Sequence, residues 1–335
     1  MSAAISIILP VYNEENCVSN MLDDIRCQTF RNFECLVVDD GSSDSSGEIC
    51  DRYAQSDPRI RVIHIPNGGV SHARNIALDA AEGDYITFVD ADDRLAENYL
   101  EVLYQNVSDG ADMAVCSLQA ISGNGTSSVI EAPFFGRHRM RELIPTFART
   151  QKETGIFGYC CGKLVSAKCM RDNRFQKDIK LAEDLDFYLR IYPNMESIVF
   201  IWQPLYIYSL GGVGEHSLPD DYAVDYLTQL KIRIRMWDFL KQYRENSEDN
   251  DRIMKETIQS YTYFCLFYCP LNQLRQMTDE LYEIQRNHQL TFRDMKVSGM
   301  KKYILRMFER HQVKWIRCTL QAYRSVRKFV RGNGR

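Results

Sequence analysis

Four short apolar runs separated by amphipathic stretches constrain this chain more than anything else in it. Ile5–Val11, Phe33–Asp39, Ile60–Ile65 and Tyr85–Asp90 have the length and composition of strands. Between them, Cys17–Gln28, Asp44–Ala54 and Val70–Ala81 place apolar residues three or four apart and read as helices. The unit recurs about every 25–30 residues, the length of a βαβ step, so the N-terminal part is expected to be α/β with a mainly parallel central sheet flanked by helices. In such sheets ligands bind beyond the carboxyl ends of the strands. In this chain those ends are Tyr12-Asn13-Glu14, Asp39-Asp40-Gly41 and Asp90-Ala91-Asp92-Asp93, so acids and turn residues collect at one edge.

Past Asp112 the pattern loosens. Met113–Ala120 reads as a strand, 122–128 as a turn, Arg139–Arg149 and Glu183–Arg190 as helices, and Ile198–Tyr208 as an apolar strand. From Pro219 onward helices dominate: Tyr222–Tyr243, Asp251–Cys269 and a final stretch near Val297–Val330. With 335 residues the chain fits two units. The expected division is a catalytic domain over 1–215, with halves at 1–95 and 96–215, and a helical extension over 216–335. With 45% hydrophobic and 26% charged residues, wholesale disorder is excluded. The first basic residue is Arg26, so no secretory leader is evident and a cytoplasmic protein with eleven reduced cysteines is expected. The uncharged stretch Thr257–Leu274 carries Gln259, Pro270, Asn272 and Gln273 and reads as a buried helix rather than a membrane span.

Asp90-Ala91-Asp92 puts two carboxylates where a buried strand emerges, which suits a hard cation such as Mg²⁺ or Mn²⁺ but equally suits a solvated turn or a helix cap. Ser43 or Asp44 has the position of an N-cap, while the paired Asp39 and Asp40 ask for more than capping. Arg74 lies early in its helix, where a cation meets an unfavourable dipole, so either an anionic partner holds it or it is a plain surface arginine.

These segments occur in an order that resembles the family 2 glycosyltransferases, inverting enzymes with the GT-A fold. The resemblance rests on Ile-Ser-Ile-Ile-Leu-Pro-Val-Tyr-Asn-Glu-Glu at 5–15, Leu-Val-Val-Asp-Asp-Gly-Ser-Ser-Asp at 36–44, the segment Gly69–Asn75, and Tyr-Ile-Thr-Phe-Val-Asp-Ala-Asp-Asp at 85–93. It is strong through about residue 95 and weaker to about 210. It implies that Pro10 and Tyr12 line a nucleobase pocket, Glu14 lies near the ribose and Asp40 binds a base N–H, most often of uracil. It further implies that Arg74 contacts base or diphosphate, that Asp90 with Ala91 meets the ribose, and that Asp92 binds a divalent metal, Mn²⁺ or Mg²⁺, bridging the phosphates. Such an ion neutralises the charge that develops on a departing nucleoside diphosphate.

A second part of the resemblance is Leu-Ala-Glu-Asp-Leu-Asp-Phe at 181–187, which makes Asp184 the candidate general base and Glu183 a residue that orients the acceptor, although acids at a helix start also suit its dipole. The segment 158–164 resembles a loop near the acceptor. Gly162 would admit substrate closely, and Lys163 would either meet an acceptor phosphate or face solvent. His216, in the Gly-rich run 211–216, is either a metal ligand or a surface histidine.

From Lys296 to Arg335 twelve Lys and Arg residues stand against one acid, Glu309. Tyr303, Met307, Val313, Trp315, Ile316, Leu320, Tyr323, Val326 and Phe329 interleave with them, as in an amphipathic helix at an anionic membrane surface. A helix packed on the protein is the alternative. The acidic remainder argues against nucleic acid. The expected partners are therefore a nucleotide-sugar donor, a saccharide or lipid-linked acceptor, and the inner face of the membrane. Nucleotidyl transfer is disfavoured because Pro10-Val11-Tyr12-Asn13 stands where a Gly-rich phosphate loop would be. A non-catalytic sugar-binding or scaffold protein that kept the fold is the remaining alternative.

Overall fold

The computed structural model describes residues 3–123, 125–170, 172–210, 222–292 and 298–332. The chain forms two compact units, Met1–Glu215 and His216–Arg335. The first opens with β1 (Ile5–Val11), α1 (Val18–Cys27), β2 (Phe33–Asp39), α2 (Ser46–Ser56), β3 (Ile60–His64), α3 (Val70–Ala80) and β4 (Tyr85–Phe88). It continues through β5 (Arg94–Leu95), α4 (Tyr99–Val107), β6 (Met113–Ser122), β7 (Ser127–Ile130), β8 (Gly136–Arg139), α5 (Met140–Leu143), α6 (Phe147–Thr154), β9 (Lys163–Ser166), α7 (Glu183–Ile191) and β10 (Ser197–Leu210).

One sheet runs in the order β3-β2-β1-β4-β9-β6-β10-β5, with β7 on β6 and β8 on β10. The half β3-β2-β1-β4 is parallel and in unbroken register, from Ile5 opposite Phe33 to Val11 opposite Asp39. β9 then enters antiparallel between β4 and β6, so the sheet is mixed across its width. The sequence reads 158–164 as a loop because β9 is only four residues long and begins with a lysine. Chain order reverses between β1 and β4, which opens a crevice where their C-terminal ends diverge. Val18, Met21, Leu22 and Ile25 of α1 are fully buried against Ile5, Ile7, Leu9 and Val11 of β1. Burial of that kind stabilises by about 1.5–3 kcal/mol per large apolar side chain.

Two expected helices shift. The one at 44–54 begins two residues later, with Ser45 at the cap position, because Asp44 instead accepts the Ser46 N–H and hydroxyl in a local turn. The one at 139–149 is broken by Pro145 into α5, a 3₁₀ turn over Ile144–Thr146, and α6.

The second unit holds α8 (Tyr222–Lys241), α9 (Glu248–Tyr268), α10 (Leu274–Asn287), α11 (Gly299–Glu309) and α12 (Val313–Gly332). The basic tail is thus two helices, interrupted at His311 with φ of 54°. Part of its apolar stripe is spent internally. Ile304, Leu305, Phe308, Ile316 and Leu320 are buried, and Arg324 donates to the carbonyls of Phe267 and Cys269 at the end of α9. Trp315 and Tyr303 stay exposed beside Lys314, Arg317 and Arg306. Among the described residues no helix is long and apolar enough to cross a membrane. All eleven cysteines are free.

Candidate active site

The loops after β1 and β2 are laced together. Asn13, at φ of 55°, accepts the Ser43 N–H and hydroxyl and donates its own N–H to Ser42 Oγ, while Glu14 N–H donates to Ser46 Oγ. A left-handed asparagine costs little, and here it sets the direction of the 12–15 segment. Pro10 is half-buried at the strand end and the Tyr12 ring is 49% exposed, so its face is open to a planar ligand. Asp40 is buried, and its two oxygens take the N–H groups of Gly68 and Gly69 at 2.8 Å each. Its first task is therefore to hold the glycine turn that starts α3, where Gly69 adopts φ of 86° as the cap. Each oxygen keeps a lone pair for another donor. Burial opposes ionisation of Asp39, yet the Ser42 and His64 hydrogen bonds hold it below its ordinary value.

Beyond β4 the chain turns, and Val89 and Ala91 sink into the core while Asp90 and Asp92 stay half-buried. Burial raises the Asp92 carboxyl, and the Asp90 charge raises it further. Glu14 is raised by burial and then by Asp92, Asp44 and Asp90, which ties the β1 loop to the β4 turn. Asp93 follows in the same turn, and the sequence alone assigns it no role. It is 1% exposed, receives the Ser209 N–H at 2.8 Å and the Tyr206 hydroxyl at 2.6 Å, and burial pushes it up to about 8. The same Tyr206 oxygen accepts the Asp90 N–H, and Ser209 Oγ donates to the Asp92 carbonyl. β10 therefore braces the acidic turn from behind.

Arg74 joins this turn to α7. It is neither a surface arginine nor free for an external anion, since its guanidinium is buried. One amino group lies 2.7 Å from Asp184 and 3.3 Å from Glu183, and the other 3.0 Å from Asp90. The anion that its place in α3 demands is supplied by the chain itself. Asp184 also accepts the Cys160 N–H, so both of its oxygens are fixed in direction. Glu183 is raised by burial and by the adjacent Asp184. Ala182, the cap of α7, sits at φ of 60°, an unfavourable conformation for alanine of the kind that gathers at functional sites.

Lys163 is a correction: it reaches neither solvent nor an acceptor phosphate. It is 1% exposed, hydrogen-bonded to the Tyr159 carbonyl and 3.8 Å above the Tyr188 ring, and burial drops its pKa to about 8. Gly162 is explained without a substrate, because its φ is 68° and a Cβ there would lie 2.5 Å from Leu118. His216 lies outside the described residues.

Among the described residues no three His, Cys, Asp or Glu side chains are grouped to hold a metal by themselves. The acids nevertheless fit one. Glu14 and Asp92 are half-buried carboxylates, raised first by burial and then by neighbouring acids, and a hard divalent ion would relieve that repulsion while completing its oxygen shell from a diphosphate; Asp93, with both oxygens hydrogen-bonded behind the turn, is not among them.

The fold has counterparts among solved structures. The crystal structure of S. aureus TarS 1–349 in complex with UDP-GlcNAc aligns over 97% of this chain and 92% of that one, with a TM-score of 0.67 at 20% identity, which assigns the GT-A fold. A glycosyl transferase family 2 profile matches residues 6–169. Two glycosyltransferases of Streptococcus pneumoniae serotype 4 are each 34% identical to the chain: GlyG over 74% of it and 90% of GlyG, and GlyA over 62% of it and 30% of GlyA's own length. The chain belongs to glycosyl transferase family 2.

Proposed function

We propose that the chain transfers a hexosyl residue, with inversion, from a UDP-linked sugar to a saccharide or lipid-linked saccharide during cell-surface polysaccharide assembly. The observation that carries this reading is the Arg74 bridge. Residues 110 apart in the chain, Arg74 and Asp184, meet at 2.7 Å, and the same guanidinium reaches Asp90, so the carboxylates that this reading gives to donor and acceptor share one counterion.

In this reading Pro10 and Tyr12 flank the base, Asp40 accepts its N–H, and Glu14 and Asp90 receive ribose hydroxyls, with Ala91 anchoring the turn from the core. Asp92 would hold Mn²⁺ or Mg²⁺, which would offset charge on the departing diphosphate. Arg74 serves through its carboxylates rather than by touching the donor. Asp184 takes the proton of the acceptor hydroxyl as that oxygen bonds to the anomeric carbon. The bond from that carbon to the diphosphate oxygen breaks on the opposite face, and its electron pair leaves with UDP. Arg74 and the Cys160 N–H hold Asp184 in direction while leaving lone pairs for the incoming hydroxyl. Glu183 keeps the Arg74 bridge in place beside it. The exposed face of α11 and α12, with Trp315 among Lys314, Arg317 and Arg306, would rest on anionic lipid at the cytoplasmic side of the membrane.

The test is UDP release from a panel of UDP-sugars with Mn²⁺. The wild type is expected to hydrolyse at least one slowly, Asp92→Ala none, and Asp184→Asn is expected to lose transfer to added acceptor. A protein that binds a donor yet never releases UDP would be a scaffold that kept the fold.

A further inference from the structure

A groove of about 900 Å³ in the catalytic unit lies outside the crevice just described. Trp202, Tyr159, Val129, Gln151, Glu131 and Lys152 are among the residues that line it. We propose that this groove is an extended saccharide subsite, which binds sugar rings of the acceptor distal to the one being glycosylated. The inference rests on the α7 side of the crevice being the acceptor side.

Trp202 is a built feature. The pairing of β10 with β6 slips between Ile201 and Pro204, so Trp202 and Gln203 form a bulge, and a bulge re-aims side chains out of the sheet. Its indole N–H donates to the Phe134 carbonyl at 2.9 Å, which fixes the ring by its one polar atom while 61% of the residue stays exposed. Phe135, 67% exposed, leans on it with centroids 4.8 Å apart. Two large aromatic faces are thus held in place and left bare, with their ordering cost already met by the fold.

The polar groups choose the ligand. Gln151 lines the groove and brings a neutral amide to it. Glu131, Lys152 and Glu153 stand beside the aromatic faces. An acyl chain or an apolar helix would strip water from these charges and return nothing. A pyranose presents C–H faces to aromatic rings and hydroxyls to Gln, Glu and Lys at the same time.

The groove also leads to the reaction centre. The Tyr159 ring stacks towards Tyr208 with centroids 6.4 Å apart, and the adjacent Ser209 holds the Asp92 carbonyl. On its other side, the neighbouring Cys160 N–H bonds Asp184. An acceptor whose terminal hydroxyl meets Asp184 can therefore extend its next rings over Tyr159 towards Trp202.

The test uses the full chain and isothermal titration calorimetry, which does not depend on the tryptophan being replaced, with glucose-, N-acetylglucosamine- and galactose-based tetrasaccharides, each set against its monosaccharide. At least one tetrasaccharide is expected to bind the wild type more tightly than its monosaccharide does. Trp202→Ala should weaken that binding about tenfold, with Trp202→Phe restoring most of it, as for a central aromatic contact. UDP release from the donor without acceptor should be unchanged in both variants. Binding that is the same in Trp202→Ala, or no binding of any tetrasaccharide, overturns the subsite while donor hydrolysis stays intact. Binding to anionic lipid vesicles that Trp202→Ala abolishes would instead overturn it in favour of a lipid contact. Loss of donor hydrolysis in the wild type itself would condemn the functional reading and not the groove alone.

Discussion

Replacing Arg74 by methionine keeps the length of the side chain and removes the charge that binds the two halves of the site together. The side chain is 5% exposed, and its partners are 33% (Asp90), 16% (Glu183) and 23% (Asp184) exposed, so three carboxylates lose their counterion in a place water reaches only in part. Breaking a buried pair by removing one partner costs about 3–5 kcal/mol, and the residual hydration of these acids places Arg74→Met near the lower end, about 3 kcal/mol. The penalty should depend on pH with a definite sign. Glu183 is already raised by burial and by Asp184, and loss of the guanidinium raises it further. A raised carboxyl contributes stability that is present below its unfolded pKa and is lost as pH rises through the folded one. The deficit of the variant is therefore smallest below about pH 7, where Glu183 is protonated in both proteins, and deepens above it, changing by about 1.4 kcal/mol per unit of added shift. Urea unfolding of both proteins at a series of pH values measures it. Asp184→Asn in the Arg74→Met background should cost less than in the wild type, because the acid it removes is then unpaired. A deficit below about 0.5 kcal/mol at pH 8, the range of neutral surface changes, would refute the bridge as the electrostatic centre of the site. So would a deficit that deepens towards acid.

Two further perturbations are independent of that one. Lys163 has a depressed pKa of about 8, so its charging destabilises the fold below that pH; wild-type stability relative to Lys163→Met should rise between pH 8 and the unfolded value by about 3 kcal/mol, which a difference of urea curves reads directly. Tyr206→Phe leaves the buried Asp93 carboxyl and the Asp90 N–H without their shared partner. It should cost about 2–3 kcal/mol and raise the KM for donor more than that for acceptor, as measured by steady-state kinetics on both substrates.

The parts of the fold that could be read in advance are those where local pattern and tertiary role agree. Ile5–Val11 and Phe33–Asp39 are strands with the bounds expected of them, because both are buried on two faces and end at turn-forming acids. α10 is less legible, because Pro270 and the polar Asn272-Gln273 interrupt the pattern just before Leu274, Met277 and Leu281 recur at helical spacing. β9 was illegible for a better reason, as a lysine that opens a four-residue buried strand contradicts every burial preference. In the site, the acids themselves stand out in sequence, but their pairing does not. Nothing local to Arg74 announces Asp184, and nothing local to Asp93 announces Tyr206, because both contacts depend on elements more than a hundred residues away. The basic tail misled in part, since its stripe of apolar residues served for packing within the helical unit as well as for exposure.

The central claim is that Asp92 serves the donor diphosphate and Asp184 the acceptor, on either side of one bridged crevice. Calorimetric titration of a UDP-sugar in the presence and absence of Mn²⁺ separates the two roles. Asp92→Ala should lose the Mn²⁺-dependent part of the affinity, while Asp184→Asn should bind the donor as the wild type does and fail only in transfer. Donor binding that survives intact in Asp92→Ala, or that collapses equally in Asp184→Asn, would contradict the account.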